Sequence, residues 1–427
     1  MEKYSSYKDS GVQWLGEIPS HWEEKRLKDV LAIKDKRVKQ RKDLTLLSLT
    51  KGGVIIRDLS EGKGKFPKDF DTYKIVEPND LIMCLFDVEE TPRTVGVARH
   101  HGMITGAYDV FSINNMEVEY LNYYLQSLDD RKMMKHLYKG LRNIIPMQAL
   151  MSSYIPVPPL EEQQSMASYL DKATAEIDKA IAQQQHMIDL LNERKQIIIQ
   201  RAVTKGLDEN VEMKDSDVEW IGEIPKHWEV CKLKYLFKRI ADGTHFSPKT
   251  TNDGYPYLTA ADVRGIGIDY ASSKKISAKD YQNLVSAGCK AYKGDILIVK
   301  DGATTGRIGL KTDDIECVTL SSVAMLTPKD TKYTLYLMYM MMSDAMQKQI
   351  TFSMSGAAMP RITLIKLNNF YAIKPPVEEQ NEIVKSIKLG LEPIEKAIMM
   401  SEKQMSLLQE RKQIIISEVV TGKIKVS

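Results

Sequence analysis

Pro158-Pro159-Leu160-Glu161-Glu162-Gln163 opens a stretch that closes on Glu193-Arg194-Lys195-Gln196-Ile197-Ile198-Ile199, and the pattern returns as Pro375-Pro376-Val377-Glu378-Glu379-Gln380 and Glu410-Arg411-Lys412-Gln413-Ile414-Ile415-Ile416. Both ends are displaced by 217 residues, so nothing was gained or lost between the copies. In the first copy Met166, Leu170, Ala173, Ile177, Ala180, Gln184, Met187, Leu191 and Ile198 step mostly by fours and threes. The second copy follows with Ile383, Ile387, Gly390, Ile394, Ala397, Ser401, Gln404, Leu408 and Ile415. A repeat near 3.5 residues predicts one long helix per copy with a coiled-coil seam. The proline pairs suit a helix start, the glutamates behind them complement its positive end, and Gly206 and Gly422 stop the copies. A helix of this length spans about 60 Å. Pro393, where the first copy has Glu176, predicts a local kink.

A second repeat precedes each half. Trp14-Leu15-Gly16-Glu17-Ile18-Pro19-Ser20-His21-Trp22-Glu23 recurs 206 residues later as Trp220-Ile221-Gly222-Glu223-Ile224-Pro225-Lys226-His227-Trp228-Glu229, and these blocks hold all four tryptophans. They read as aromatic clamps, with Gly and Pro shaping a turn and Trp supplying buried area. Between block and helix lies a variable body, about 25–155 and 232–373, the second longer by 11 residues. The bodies share little beyond Asn79-Asp80-Leu81-Ile82-Met83 against Gly294-Asp295-Ile296-Leu297-Ile298, a turn and a buried strand, and Ile145-Pro146 against Met359-Pro360. Runs such as 318–320 and 323–326 read as strands and 333–349 as helix.

The order block, body, helix therefore occurs twice. Antiparallel pairing lets the second body leave and return at one end of the helices, whereas parallel pairing would require a return of about 60 Å. The expected fold is α+β: two globular domains joined by two long antiparallel coiled-coil helices in a pseudo-twofold repeat. Its divisions are 1–156, 157–205, 206–373 and 374–427.

With 427 residues, 43% hydrophobic and 27% charged, the composition is that of a soluble globular protein of two or three domains. Met1-Glu2-Lys3-Tyr4 leads into polar sequence, and no apolar run is long enough for a membrane. Cys84, Cys231, Cys289 and Cys317 lack CxxC spacing, which suits a reducing cytoplasm and argues against structural zinc. No phosphate-cradling G-x-x-x-x-G-K-[ST] loop is present; Gly302 to Gly309 lacks its lysine. The proline pairs lack the preceding Asn or Asp of an amino-methyltransferase. Glu193-Arg194-Lys195 and Glu410-Arg411-Lys412 echo a nuclease E-x-K fragment but read as solvated helix faces. What remains is binding. From Glu229 to Lys366 there are 19 Lys/Arg against 13 Asp/Glu, and the first body opens with Lys34, Lys36, Arg37, Lys39, Arg41 and Lys42.

The blocks, the Pro-Pro-x-Glu-Glu-Gln starts, the Glu-Arg-Lys-Gln-x-Ile-Ile ends and the two-body order together resemble the DNA-specificity subunit of Type I restriction–modification enzymes. The resemblance covers nearly the whole chain. It implies that each body is a target-recognition domain reading one half of a split, asymmetric sequence on double-stranded DNA, with the paired helices setting the gap. It further implies a non-catalytic chain without cofactor. S-adenosylmethionine, ATP and Mg would belong to its partners, two modification (methyltransferase) subunits and the restriction (translocase/endonuclease) subunits. In the second body the expected DNA-facing residues are Thr244, His245 and Lys249, then Lys300, Thr304, Thr305 and Arg307, with Arg361. Arg suits bidentate contact to guanine and Lys contact to phosphate. The first body departs from the family pattern, and Lys63, Lys65, Arg93, Arg99 and Arg142 are chosen there on charge and local glycine. The alternative is a non-catalytic coiled-coil scaffold whose two domains bind protein partners, without salt-dependent DNA affinity. A self-sufficient methyltransferase is a third reading, opposed by the missing motifs.

Overall fold

The computed structural model describes residues 2–12, 14–38, 44–57, 71–139, 143–354 and 360–426. The repeated stretches are helical over Leu160–Lys205 and Val377–Val420. Each helix ends at a glycine in the left-handed region, Gly206 at φ 75° and Gly422 at φ 72°. Pro393 sits inside the second helix, which runs through it from Val377 to Val420, and the ring removes one N–H donor.

The seam departs from a strict 3.5 repeat half-way along. Met187 is 49% exposed while Ile188 is buried, and the second copy makes the same shift, with Gln404 exposed and Met405 turned further in. An undistorted α-helix advances 3.6 residues per turn and drifts against a heptad, so the buried stripe moves on by one residue.

Two compact units share these helices, Met1–Gln185 with Glu402–Ser427, and His186–Ser401. In the first, Met166, Leu170 and Ile177 lie in one core with Ile415, Ile416, Val419 and Val420, and Lys412 Nζ lies 2.6 Å from Asp178 Oδ2. In the second, Ile199, Ala202 and Val203 share a core with Ile383, Ile387 and Leu391, and Lys195 Nζ lies 2.9 Å from Glu395 Oε1. In both units the early part of one helix meets the late part of the other, so the pairing is antiparallel. The lysines read as solvated from sequence therefore tie one helix to the other.

Each body is built on the same four-stranded antiparallel sheet. In unit 1 its order is Leu31–Lys34, Asp109–Ile113, Leu81–Met83, Val95–Val97. In unit 2 it is Phe237–Asp242, Val323–Pro328, Ile296–Val299, Ile308–Leu310. The short echo between the bodies marks the third strand of each sheet. Asn79 and Gly294 take positive φ in the turn before it. The next residue, Asp80 or Asp295, is buried and accepts a backbone N–H at 2.8 Å, from Glu77 or Tyr292. A helix follows each sheet, Val118–Asp130 or Thr334–Met342. From it a buried tyrosine, Tyr120 or Tyr336, donates at 3.0 Å to the carbonyl of Pro156 or Ile373. The helical run expected over 333–349 is two helices, because Ser343 caps a new one over Asp344–Ser353.

The bodies differ in what interrupts the sheet. Unit 1 carries the hairpin Leu47–Thr50 with Gly53–Ile56 and the pair Lys74–Val76 with Gly102–Ile104. Unit 2 carries a five-stranded sheet containing Tyr255–Leu258, Lys274–Ile276 and Cys317–Thr319, and the helix Ala278–Ser286.

Block and helix start are bolted by one carboxylate in each unit. Glu162 Oε1 lies 2.6 Å from His21 Nε2 while its Oε2 accepts the Trp22 indole N–H at 3.1 Å. Glu379 does the same with His227 and Trp228, at 2.6 and 2.8 Å. Burial alone would raise the Glu162 carboxyl, but hydrogen bonds from His21, Trp22 and Tyr4 outweigh it and hold the group below its ordinary 4.5. A carboxylate depressed in the folded state contributes stability above its unfolded pKa and loses it as pH falls through the folded one. The stability difference between the wild type and Glu162→Gln should therefore be full at pH 6 and shrink below about pH 4.5. Melting temperatures of both proteins across pH 3–7 test this; a constant difference would refute it.

Candidate nucleic-acid interface

Strands Phe237–Asp242 and Ile296–Val299 both pair antiparallel with Val323–Pro328. They are thus parallel to each other, and the loops leaving their C-terminal ends gather at one sheet edge. The segment entering Val323 from Thr319 arrives at the same edge: Thr244 forms a parallel bridge with Leu320, and Ser321 N–H donates to the Thr244 carbonyl at 2.9 Å. Gly243 is required there, because a Cβ would stand 1.9 Å from the Thr319 carbonyl oxygen.

A chain of charges crosses this edge. Asp242 Oδ2 lies 3.5 Å from His245 Nε2 and 3.3 Å from Lys300 Nζ. Lys300 Nζ is also 3.3 Å from Asp301 Oδ2, and Asp301 Oδ1 is 3.2 Å from Arg361 Nε. The backbone fixes the order: Asp301 and Arg361 form an antiparallel bridge, and Ile362 N–H donates to the Lys300 carbonyl at 2.8 Å. Lys300 is 2% exposed, so it is a buried strut between two carboxylates and not the groove-facing group its sequence position suggested. The ends of the chain face solvent, His245 with its side chain 66% exposed and Arg361 with 53%.

The structure thus brings Thr244, His245, Lys300, Thr304, Thr305, Arg307 and Arg361 to one edge, with unequal roles. The Thr244 side chain is turned in, its Oγ1 accepting from the Phe246 N–H and donating to the Phe246 carbonyl, both at 3.0 Å. Thr305 Oγ1 donates to the Gly302 carbonyl at 2.6 Å and shapes the turn. Arg307, at its end, is exposed and donates to the Val263 carbonyl at 3.1 Å, and Thr304 is half-buried within that turn. Lys249 is exposed and makes no ion pair among the described residues. Sequence reasoning passed over Phe246, an exposed ring beside His245 suited to apolar contact with a thymine methyl. Its position behind Thr-His in a turn was the available signal.

In unit 1 the corresponding loop begins at Phe86, which bridges Ile144, with Asp87 N–H donating to the Asn143 carbonyl at 2.7 Å. Arg93 turns inward from it, 3.4 Å from Asp129 and 3.0 Å from Asp130, so its charge is spent on the helix Val118–Asp130. Arg99 is ion-paired with Glu119, also on that helix, and half-exposed. Lys63, Lys65 and Arg142 lie outside the described residues.

Residues 103–185 and 225–399 match the family described as Type I restriction modification DNA specificity domain. The chain belongs to this family. One match falls in each half, and the second contains every candidate residue of the unit 2 edge. Among curated members, the chain is similar to the putative type I restriction enzyme MjaX specificity subunit of Methanocaldococcus jannaschii, 26% identical over 438 residues covering 96% of each. It is also similar to the type I restriction enzyme EcoBI specificity subunit of Escherichia coli, 28% identical over 250 residues, 56% of this chain and 52% of that one. A solved structure concerned with complex assembly and conformational transition of the type I R-M system shares the fold, with a TM-score of 0.65 at 15% identity over 95% of this chain and 99% of that one. Family membership disfavours the scaffold reading. Among the described residues no helix is long and apolar enough to cross a membrane.

Proposed function

We propose that this specificity subunit reads a bipartite, asymmetric duplex target, one half with each body, and that the spacer helices set the gap. One observation carries the proposal: a constant frame of block, sheet and helix is built twice, with unlike loops on the equivalent sheet edges. Equal frames demand equal placement on the polymer, and unlike loops give unlike half-sites. The chain contributes recognition and holds no cofactor of its own. S-adenosylmethionine, ATP and Mg serve two modification (methyltransferase) subunits and the restriction (translocase/endonuclease) subunits, in the cytoplasm.

Co-expression with a candidate modification subunit from the same host, followed by mapping of methylated adenines, tests the reading; a split motif with a fixed gap is expected, and methylation without one would refute it. Within the second body, Arg361→Ala and Arg307→Ala should each weaken binding by roughly tenfold to a hundredfold, a loss of about 1–3 kcal/mol. A base contact relaxes selectivity at one position of one half-site, whereas a phosphate contact lowers affinity uniformly and reduces the salt slope by about one. Competition binding at several salt concentrations separates these, and unchanged affinity in both variants would remove this edge from the interface.

A further inference from the structure

Glu162 and Glu379 occupy equivalent places, but among the described residues Glu162 has one hydrogen-bond donor, Tyr4, that Glu379 lacks. In unit 1 the Tyr4 ring lies 5.6 Å from that of His21 and 5.8 Å from that of Trp22. Its hydroxyl donates to Glu162 Oε2 at 3.0 Å, the oxygen that also accepts the Trp22 indole N–H. Burial, with the carboxylate beside it, pushes this hydroxyl well up, so it remains a donor. In unit 2 the residue 206 positions on is Asn210, which is exposed and makes no bond to Glu379. Around it the two backbones correspond. Ser20 N–H donates to the Ser6 carbonyl as Lys226 N–H does to that of Glu212, and Tyr7–Asp9 pairs with Glu17–Pro19 as Met213–Asp215 does with Glu223–Pro225. Where unit 1 has a phenol, unit 2 has a cavity of about 280 Å³ whose lining includes Glu379, His227, Pro225, Ile383, Gly206 and Val211.

We propose that this cavity is a binding site for a phenol ring, its hydroxyl donating to Glu379 Oε2 and its face packed beside His227 and Ile383. A carboxylate oxygen accepts more than one hydrogen bond, and among the described residues Glu379 Oε2 holds the Trp228 N–H alone where Glu162 Oε2 holds two donors. The wall is half apolar and also carries Lys205, Asp208 and Glu382; Glu379, held by His227 and Trp228, is the acceptor placed as Glu162 is for Tyr4, which suits a ring that is oily on its faces and polar at one tip. A phenolate would meet the carboxylate charge, so the neutral phenol is the species taken. The same chemistry comes from a tyrosine side chain of a partner polypeptide or from a free phenolic compound.

The full chain is titrated into 4-fluorophenol and followed by fluorine NMR. Saturable broadening with a Kd on the order of 1 mM is expected for a ligand this small, at one site per chain because Tyr4 fills the other. With 4-fluoroanisole, which has no O–H, binding should be at least fivefold weaker. Asn210→Tyr should reduce 4-fluorophenol binding at least tenfold and raise the melting temperature, while Tyr4→Ala should raise the stoichiometry from one to two. Displacement by N-acetyltyrosinamide assigns the site to a tyrosine of a partner; failure to displace, with 4-fluorophenol still bound, assigns it to free phenols. No saturable binding, equal binding of the anisole, or unchanged binding in Asn210→Tyr would overturn the proposal.

Discussion

Trp22→Ala is expected to lower the melting temperature by about 10 °C, with unit 1 opening first. The indole is 1% exposed, and burying a tryptophan that is then truncated costs about 3–5 kcal/mol in a close-packed core. More than area is lost. The indole N–H is one of the donors on Glu162, and the ring supports the end of the second helix: a Cβ on Gly422 would lie 2.9 Å from it. For a unit of about 200 residues each kcal/mol moves the midpoint by about 2–4 °C. Calorimetry, together with hydrogen exchange followed separately for 160–185 and 186–205, tests the localisation. Equal loss of protection in both segments would mean that the clamp acts on the whole chain.

Inserting seven residues after Gln184 and another seven after Ser401 should lengthen the gap in the recognised sequence without altering either half. Matched insertions keep the seam in register and add about 10 Å of helix, up to about three base pairs at about 3.4 Å each. Each added pair also turns the half-site about the duplex axis, by about a tenth of a turn, so the gap recovered is the one that satisfies reach and groove phase together. The original target, with one half-site out of reach, should bind about 10³-fold more weakly. Methylome mapping in cells expressing the variant reads both effects, and an unchanged gap would show that the helices do not measure it.

The helices were legible because length and period survive in two copies, and the blocks because tryptophan occurs nowhere else. The shared sheet was legible only in part. Its strands are three to six residues, and Leu81–Met83 and Ile296–Val299 are buried on both faces, so they show no alternation, and unlike insertions separate them. What could be read was the turn aspartate, Asp80 or Asp295, with the buried strand behind it, and the run 323–326 in the second body. The interface was legible as a set of loops but not residue by residue. Charge identifies a cation without revealing its partner, and the partners come from far along the chain: Asp242 for Lys300, Asp129 and Asp130 for Arg93. A strict heptad misplaced Met187 for a different reason, the accumulated drift of an α-helix against it.

The two ion pairs between the helices are reciprocal. Lys195 reaches Glu395, and its counterpart Lys412 reaches Asp178, the counterpart of Glu395. Each half of the sequence therefore carries both a lysine and the carboxylate that such a lysine needs, so each presents a surface complementary to itself. That is the isologous contact of a symmetric dimer, which closes at two and cannot propagate into a filament. Here it is satisfied within one polypeptide, at a stoichiometry fixed by a covalent bond and independent of concentration. The two bodies are thereby free to diverge while remaining equal in number.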